Sequence, residues 1–151
     1  ETDIRRSNMS KVAIIYWSGT GNTEQMANAI EARLKENQVE LDIYHASGFD
    51  STNLNKYDAF AFGCPAMGDE SLEESEFEPM FESVEEKLEN KAVIIFGSYE
   101  WNEGQWMIDW QERCKKHNIN LAADGLAVYD SPTDGDIKSC HDLADELIKH
   151  L

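Results

Sequence analysis

At 151 residues the chain is the size of one domain and can bury a core without disulfide or metal staples. Hydrophobic residues make up 41% and charged residues 28%, a globular composition, and no apolar run approaches the roughly 18–20 residues of a membrane span. Thirty acidic residues against 13 basic ones leave a formal charge of −17. That balance repels nucleic acid and anionic membranes and favours basic protein partners, found by electrostatic steering.

Residues 1–9 are polar, carry Arg5 and Arg6, and lack both periodicity and the apolar stretch of a signal peptide. They are expected to be a tail, disordered or left from cloning, with Met9 a candidate native start and 10–151 the folded domain. A short native tail is the alternative. Lys11–Trp17 is an unbroken β-branched and aromatic run, the mark of a strand buried on both faces. Ser18–Thr23 is a Gly-rich turn. A helix from about Asn22 to Asn37 follows, with Met26, Ala27, Ile30 and Leu34 at helical spacing. Glu40–Tyr44 predicts a second, shorter strand, and Asn53–Tyr57 a single helical turn. Ala59–Cys64 predicts a third buried strand, Pro65–Glu76 a loop, and Phe77–Leu88 a helix with Phe77, Met80, Phe81, Val84 and Leu88 in one stripe. Ala92–Ser98 predicts a fourth strand, Tyr99–Gly104 a loop, and a helix then runs to about His117. A fifth strand lies within Asn120–Tyr129, and the last helix covers roughly Asp136–Leu151. Strands alternating with helices imply an α/β fold with a parallel sheet. Such sheets bind ligands beyond the carboxyl ends of their strands.

The loops after the first, third and fourth strands carry unusual chemistry. Ser18-Gly19-Thr20-Gly21-Asn22-Thr23 brings three hydroxyls, an amide and several backbone N–H groups to a helix N-terminus, without a Lys or Arg. It lacks the Gly-Lys-Ser/Thr of a P-loop, and Glu24 stands where a dinucleotide fingerprint needs its last Gly. A phosphate monoester held by neutral donors is the reading that remains beside a plain capped turn. In Cys64-Pro65-Ala66-Met67-Gly68-Asp69-Glu70, Met67 offers a polarisable side chain to an aromatic ring. In Gly97-Ser98-Tyr99-Glu100-Trp101, Trp101 is flanked by polar residues and suits stacking on a planar ligand, whereas Trp106 and Trp110 on the next helix suit packing. Cys64, Cys114 and Cys140 are odd in number and form no C-x-x-C, and the four histidines are scattered. The plain reading is reduced thiols in a cytoplasmic compartment and no metal site.

SGTGNT after the first strand, AMGDE after the third and GSY-x-W after the fourth resemble the short-chain flavodoxins of anaerobic bacteria, from about Met9 to the C-terminus. The resemblance implies a flavodoxin-like three-layer sandwich: a five-stranded parallel sheet in the order 2-1-3-4-5, with helices on both faces. It also implies one non-covalently bound flavin mononucleotide (FMN). Ser18, Thr20, Asn22 and Thr23 would hold the phosphate, with the backbone of Gly19 and Gly21, and Ser98 would lie near it. Met67 and Trp101 would cover the two faces of the isoalloxazine, and the Gly68 carbonyl would accept from flavin N5–H. Glu70 would accept from N3–H. Pro65, Ala66, Asp69, Tyr99 and Glu100 complete the expected FMN-binding set. Two positions depart from the family. Pro65 cannot supply the hydroxyl that some relatives have there. Glu100 replaces a frequent Gly, at a cost of about 1 kcal/mol or more if its φ must be positive.

By the same resemblance the chain is a low-potential electron carrier and not an enzyme, cycling mainly between semiquinone and hydroquinone. It would be a cytoplasmic monomer serving redox enzymes with basic docking surfaces in transient complexes. An FMN-dependent quinone or NAD(P)H-linked reductase of the same superfamily is the alternative. A phosphorylated receiver domain fits poorly, because Ser18-Gly19-Thr20 and Cys64-Pro65 stand where it needs acids. Between Tyr57 and Glu86 there is no Lys or Arg, while Asp69, Glu70, Glu73, Glu74, Glu76 and Glu78 crowd one stretch. Like charges there would disfavour a second electron on the flavin.

Overall fold

The computed structural model describes residues 10–68 and 71–151. The expected tail, residues 1–9, and the pair Asp69–Glu70 lie outside the described residues. The β-branched run does form the first strand, β1 (Lys11–Tyr16), whose inner residues are all buried. After it come α1 (Asn22–Glu36), β2 (Glu40–His45), β3 (Ala59–Gly63), α2 (Phe77–Val84), β4 (Ala92–Tyr99), α3 (Gln105–Lys116), β5 (Asn120–Leu121), β6 (Leu126–Tyr129) and α4 (Asp134–Ile148). Short 3₁₀ turns at Ala46–Gly48 and Ser51–Lys56 fill the β2–β3 connection.

All pairings are parallel, in the order β2-β1-β3-β4-β5, with β6 also on β4. Alternate residues along each strand enter opposite cores, as the two-residue strand period requires. Ala13, Ile15, Phe60, Phe62, Val93 and Ile95 pack under α2 and α3. Val12, Ile14, Ala59, Ala61, Ile94 and Phe96 pack under α1 and α4. The three layers are those of the expected sandwich. The two helices of the second face are also tied at their surface by Arg33, whose guanidinium forks onto Asp145 at 2.9 and 3.0 Å.

The fifth strand is broken. From Val93 to Phe96 β4 advances three residues, while its partner advances five, from Leu121 to Leu126. The extra residues bow out around Gly125, where a Cβ would meet Met107 Sδ at 2.4 Å. The amide of Gly125 donates to the Gln111 side chain instead of the sheet. The helix expected over Phe77–Leu88 ends at Val84. The Lys87 amide then closes a turn onto the Val84 carbonyl at 2.8 Å, and Leu88 stays buried, so the apolar stripe outlasts the helix. The last helix begins at Asp134 because Thr133 and Asp136 cap each other's backbone in a reciprocal box. Among the described residues no helix is long and apolar enough to cross a membrane.

Candidate functional site

Because β1, β3 and β4 are neighbours, the loops leaving their carboxyl ends meet in one cleft. Trp17, Gly19 and Thr20 line one side, Pro65, Ala66, Met67 and Gly68 a second, and Ser98, Tyr99, Glu100 and Trp101 a third. Ser18, Gly21, Asn22 and Thr23 continue the first loop beyond the cleft wall.

That loop is built to point donors outward. Gly21 takes φ +101° at the N-cap of α1, a left-handed conformation that favours glycine. Ser18 Oγ accepts from the amides of Gly21 (3.1 Å) and Glu24 (3.2 Å), which leaves its own O–H to donate. Thr20 Oγ1 accepts from Asn22 N–H at 3.4 Å. Thr23 and Ser98 are buried together: their hydroxyls are 3.1 Å apart, and Ser98 N–H donates to Thr23 Oγ1 at 3.3 Å. Two bonds thus join the phosphate-type loop to the end of β4.

The second loop is held from below. Ala66 N–H donates to the Ser98 carbonyl and Met67 N–H to the Ser71 carbonyl, both at 3.0 Å. Glu73 is buried, and its carboxylate accepts from the amides of Ser75 (2.9 Å), Glu76 (2.7 Å) and Phe77 (2.8 Å), capping α2. Burial pushes its pKa up, but the Ser75 hydroxyl and these amides outweigh it and hold Glu73 at about 2. The acidic stretch is therefore less free than its sequence suggests. Besides Glu73, Glu78 is clamped by Arg113 at 2.7 Å, and Glu76 accepts from Trp17 Nε1 at 2.9 Å.

The third loop presents Trp101. Its backbone is extended (φ −161°, ψ 172°) and its side chain is 55% exposed, as expected of a stacking residue and not a core one. Glu100 lies outside the left-handed region, so the strain considered for it does not arise there. It falls on Asn102 (φ 64°) and Glu103 (φ 54°), just before Gly104 (φ 80°). Tyr99 is anchored between Trp106 and Tyr129, with ring centroids 5.6 Å from each. Trp106 and Trp110 are buried in the core, and Trp106 Nε1 donates to the Cys64 carbonyl at 3.2 Å. All three thiols are free and buried, and burial raises their pKa, to about 12 for Cys114 and Cys140.

Asp69 and Glu70 lie outside the described residues. The rest of the expected set stands on the three loops or, with Thr23, directly under them. Trp17 was missed, because its aromatic ring reads as the last residue of a strand. Its position immediately before the Gly-rich turn was the available signal.

The sequence model of the family described as Flavodoxin matches residues 14–142. A flavodoxin from Clostridium beijerinckii is 41% identical over 123 residues, covering 82% of this chain and 89% of the relative. One from Megasphaera elsdenii is 39% identical over 141 residues, covering 91% and 98%. The chain belongs to the flavodoxin family. Its flavodoxin fold agrees: the solution structure of two-electron reduced Megasphaera elsdenii flavodoxin superposes with a TM-score of 0.82 at 38% identity, covering 91% of this chain and 98% of that one. Flavodoxin membership implies non-covalently bound FMN. The donor set fits such a group. The amides of Gly19, Thr20 and Thr23 have no acceptor among the described residues, and with the Ser18 hydroxyl they make a neutral anion cradle. Met67 and the exposed Trp101 line the same cleft.

Proposed function

We propose that this chain is a low-potential electron carrier that moves single electrons on FMN between redox proteins and turns over no substrate of its own. The observation that carries the reading is the convergence of three loops on one cleft, which brings together a neutral anion cradle, a methionine and an exposed tryptophan. Bound FMN supplies the one-electron chemistry, and the chain binds, shields and tunes it. Ser18, Thr20, Asn22, Thr23 and the loop amides hold the phosphate, with Gly19 and Gly21 keeping the backbone close and Ser98 fixing Thr23. Met67 and Trp101 cover the ring system, flanked by Pro65, Ala66, Tyr99 and Glu100. Asp69 and Glu70 belong to the same proposed FMN-binding set. Among the described residues nothing stands within 4 Å of where a Gly68 Cβ would be, and the Gly68 carbonyl is the expected partner of the flavin ring.

Exposed Glu100 and Glu103 place part of the overall charge of −17 beside Trp101, and this field disfavours further negative charge in the cleft. It also suits brief docking to basic patches on partners, in complexes that weaken with salt. We read residues 10–151 as the functional domain, with 1–9 a tail outside it, acting as a monomer in the cytoplasm. The reductase alternative is not favoured, since the two relatives are flavodoxins over nearly their whole length.

The test is a visible spectrum during stepwise anaerobic reduction of the purified protein. A yellow protein that turns blue at one electron per flavin, then pale, supports the carrier. Direct bleaching with rapid oxidation of NAD(P)H would favour the reductase. A colourless protein that refuses added FMN would overturn the reading.

A further inference from the structure

Trp17 belongs to none of the three expected motifs, yet it touches two of the three loops. Its N–H donates to the Gly63 carbonyl at 2.9 Å, which keeps it in register with the sheet and turns its side chain to the α2–α3 face. The indole then lies between the anion cradle and the Met67 loop. On one side its ring carbons Cη2 and Cζ3 are 3.1 and 3.2 Å from where a Gly19 Cβ would stand, so the ring rests on bare backbone. On the other, its Nε1 donates to Glu76 Oε1 at 2.9 Å. Glu76 in turn is fixed through its amide to the buried Glu73 carboxylate, whose own amide donates to Cys64 Sγ at 3.4 Å. A continuous path thus runs from the end of β3 through the α2 cap and the indole to Gly19.

We propose that Trp17, held by Glu76, is a positioning residue that sets the anion cradle against the ring-covering loop, and so determines how strongly the cleft rewards the phosphate of its ligand. The proposal rests on the FMN reading above. A ring that loses its hydrogen bond is free to swing, and Gly19 and Thr20 then lose the surface that aims their amides. Riboflavin carries the same ring system without the phosphate and does not engage the cradle. The cost therefore falls on FMN and spares riboflavin.

The experiment measures dissociation constants of FMN and riboflavin for the full chain and for Trp17→Phe, Glu76→Leu and Glu76→Gln, with thermal melts to establish folding. Trp17→Phe and Glu76→Leu are expected to weaken FMN binding about tenfold and riboflavin less than about twofold, the scale of one hydrogen bond to a charged group. Glu76→Gln, whose amide oxygen still accepts the indole N–H, restores most of the discrimination. Should Trp17→Phe fail to fold, Glu76→Leu and its Gln counterpart carry the test. An FMN-to-riboflavin ratio unchanged in the folded variants, whether both ligands bind as before or both weaken alike, overturns the proposal and leaves the FMN reading standing. A native chain that binds neither ligand overturns both.

Discussion

Gly97 and Gly68 differ in what a methyl group would meet. At Gly97 an added Cβ would lie 2.1 Å from the Cys64 carbonyl oxygen, and main chain cannot rotate away as a side chain can. Gly97→Ala is expected to cost about 3 kcal/mol, the upper range for overpacking, and to weaken FMN binding by parting the ends of β3 and β4. At Gly68 the methyl meets none of the described residues within 4 Å and φ is not left-handed, so Gly68→Ala should stay within about 0.5 kcal/mol of the parent in urea melts. Equal losses at the two positions would contradict this close approach. Glu73 gives a pH signature. Its pKa falls from an ordinary 4.5 to about 2 on folding, so its contribution is fully present above 4.5 and disappears as pH falls towards 2. Glu73→Gln should lower stability near neutrality by up to about 3 kcal/mol, and the gap should close steadily below pH 4.5. A gap that is constant with pH would mean that the carboxylate's charge contributes nothing.

At the scale of elements, α2 and α3 are joined inside by Trp110, whose ring meets Phe77 and Phe81, and at the surface by Arg113. Arg113 forks onto Glu78, reaches Glu85 at 2.7 Å, and lies 5.0 Å from the centre of the Phe81 ring. Removing it leaves Glu85, whose side chain is only 8% exposed, with His117 Nε2 at 3.4 Å in place of the guanidinium fork. Arg113→Ala should therefore lower the unfolding free energy by about 2 kcal/mol while leaving the flavin spectrum in place, a split that thermal melts and absorbance together would reveal. The elements themselves were largely legible. Lys11–Trp17, Ala59–Cys64 and Ala92–Ser98 could only be buried strands, and the helix from Asn22 needed only its apolar spacing. The break in the fifth strand was not legible, because the chain leaves the sheet after Ala122 and Gly125 then packs on Met107 and bonds to Gln111, neighbours that only tertiary structure supplies. The cleft followed from loop chemistry, since Gly-rich and aromatic loops are conspicuous in sequence. The support beneath it stayed hidden. Glu73 looks like one more surface acid until the chain brings three amides around it, and the Trp17–Glu76 bond spans 59 positions.

For the whole molecule the charge of −17 sets opposing salt responses. Between about 0.01 M and about 1 M ionic strength the screening length falls from roughly 30 to roughly 3 Å. Self-repulsion weakens over that range, so the melting temperature should rise. Attraction to a cationic acceptor protein weakens too, so the second-order rate of electron transfer to it should fall. A rate that is flat with salt would remove electrostatic steering from the account.

The three buried thiols make the protein its own clock of opening. Cys64 closes the cleft end of β3, Cys114 sits in α3 and Cys140 in α4, all 0% exposed. Cys64 and Cys114 share the core under α2 and α3, and Cys140 lies in the core under α1 and α4, so a thiol reagent reaching them would time the opening of the two faces of the sheet separately. A ligand that pins the cleft loops should slow labelling at Cys64 far more than at Cys140. Equal slowing at all three would mean that the molecule opens as a single unit.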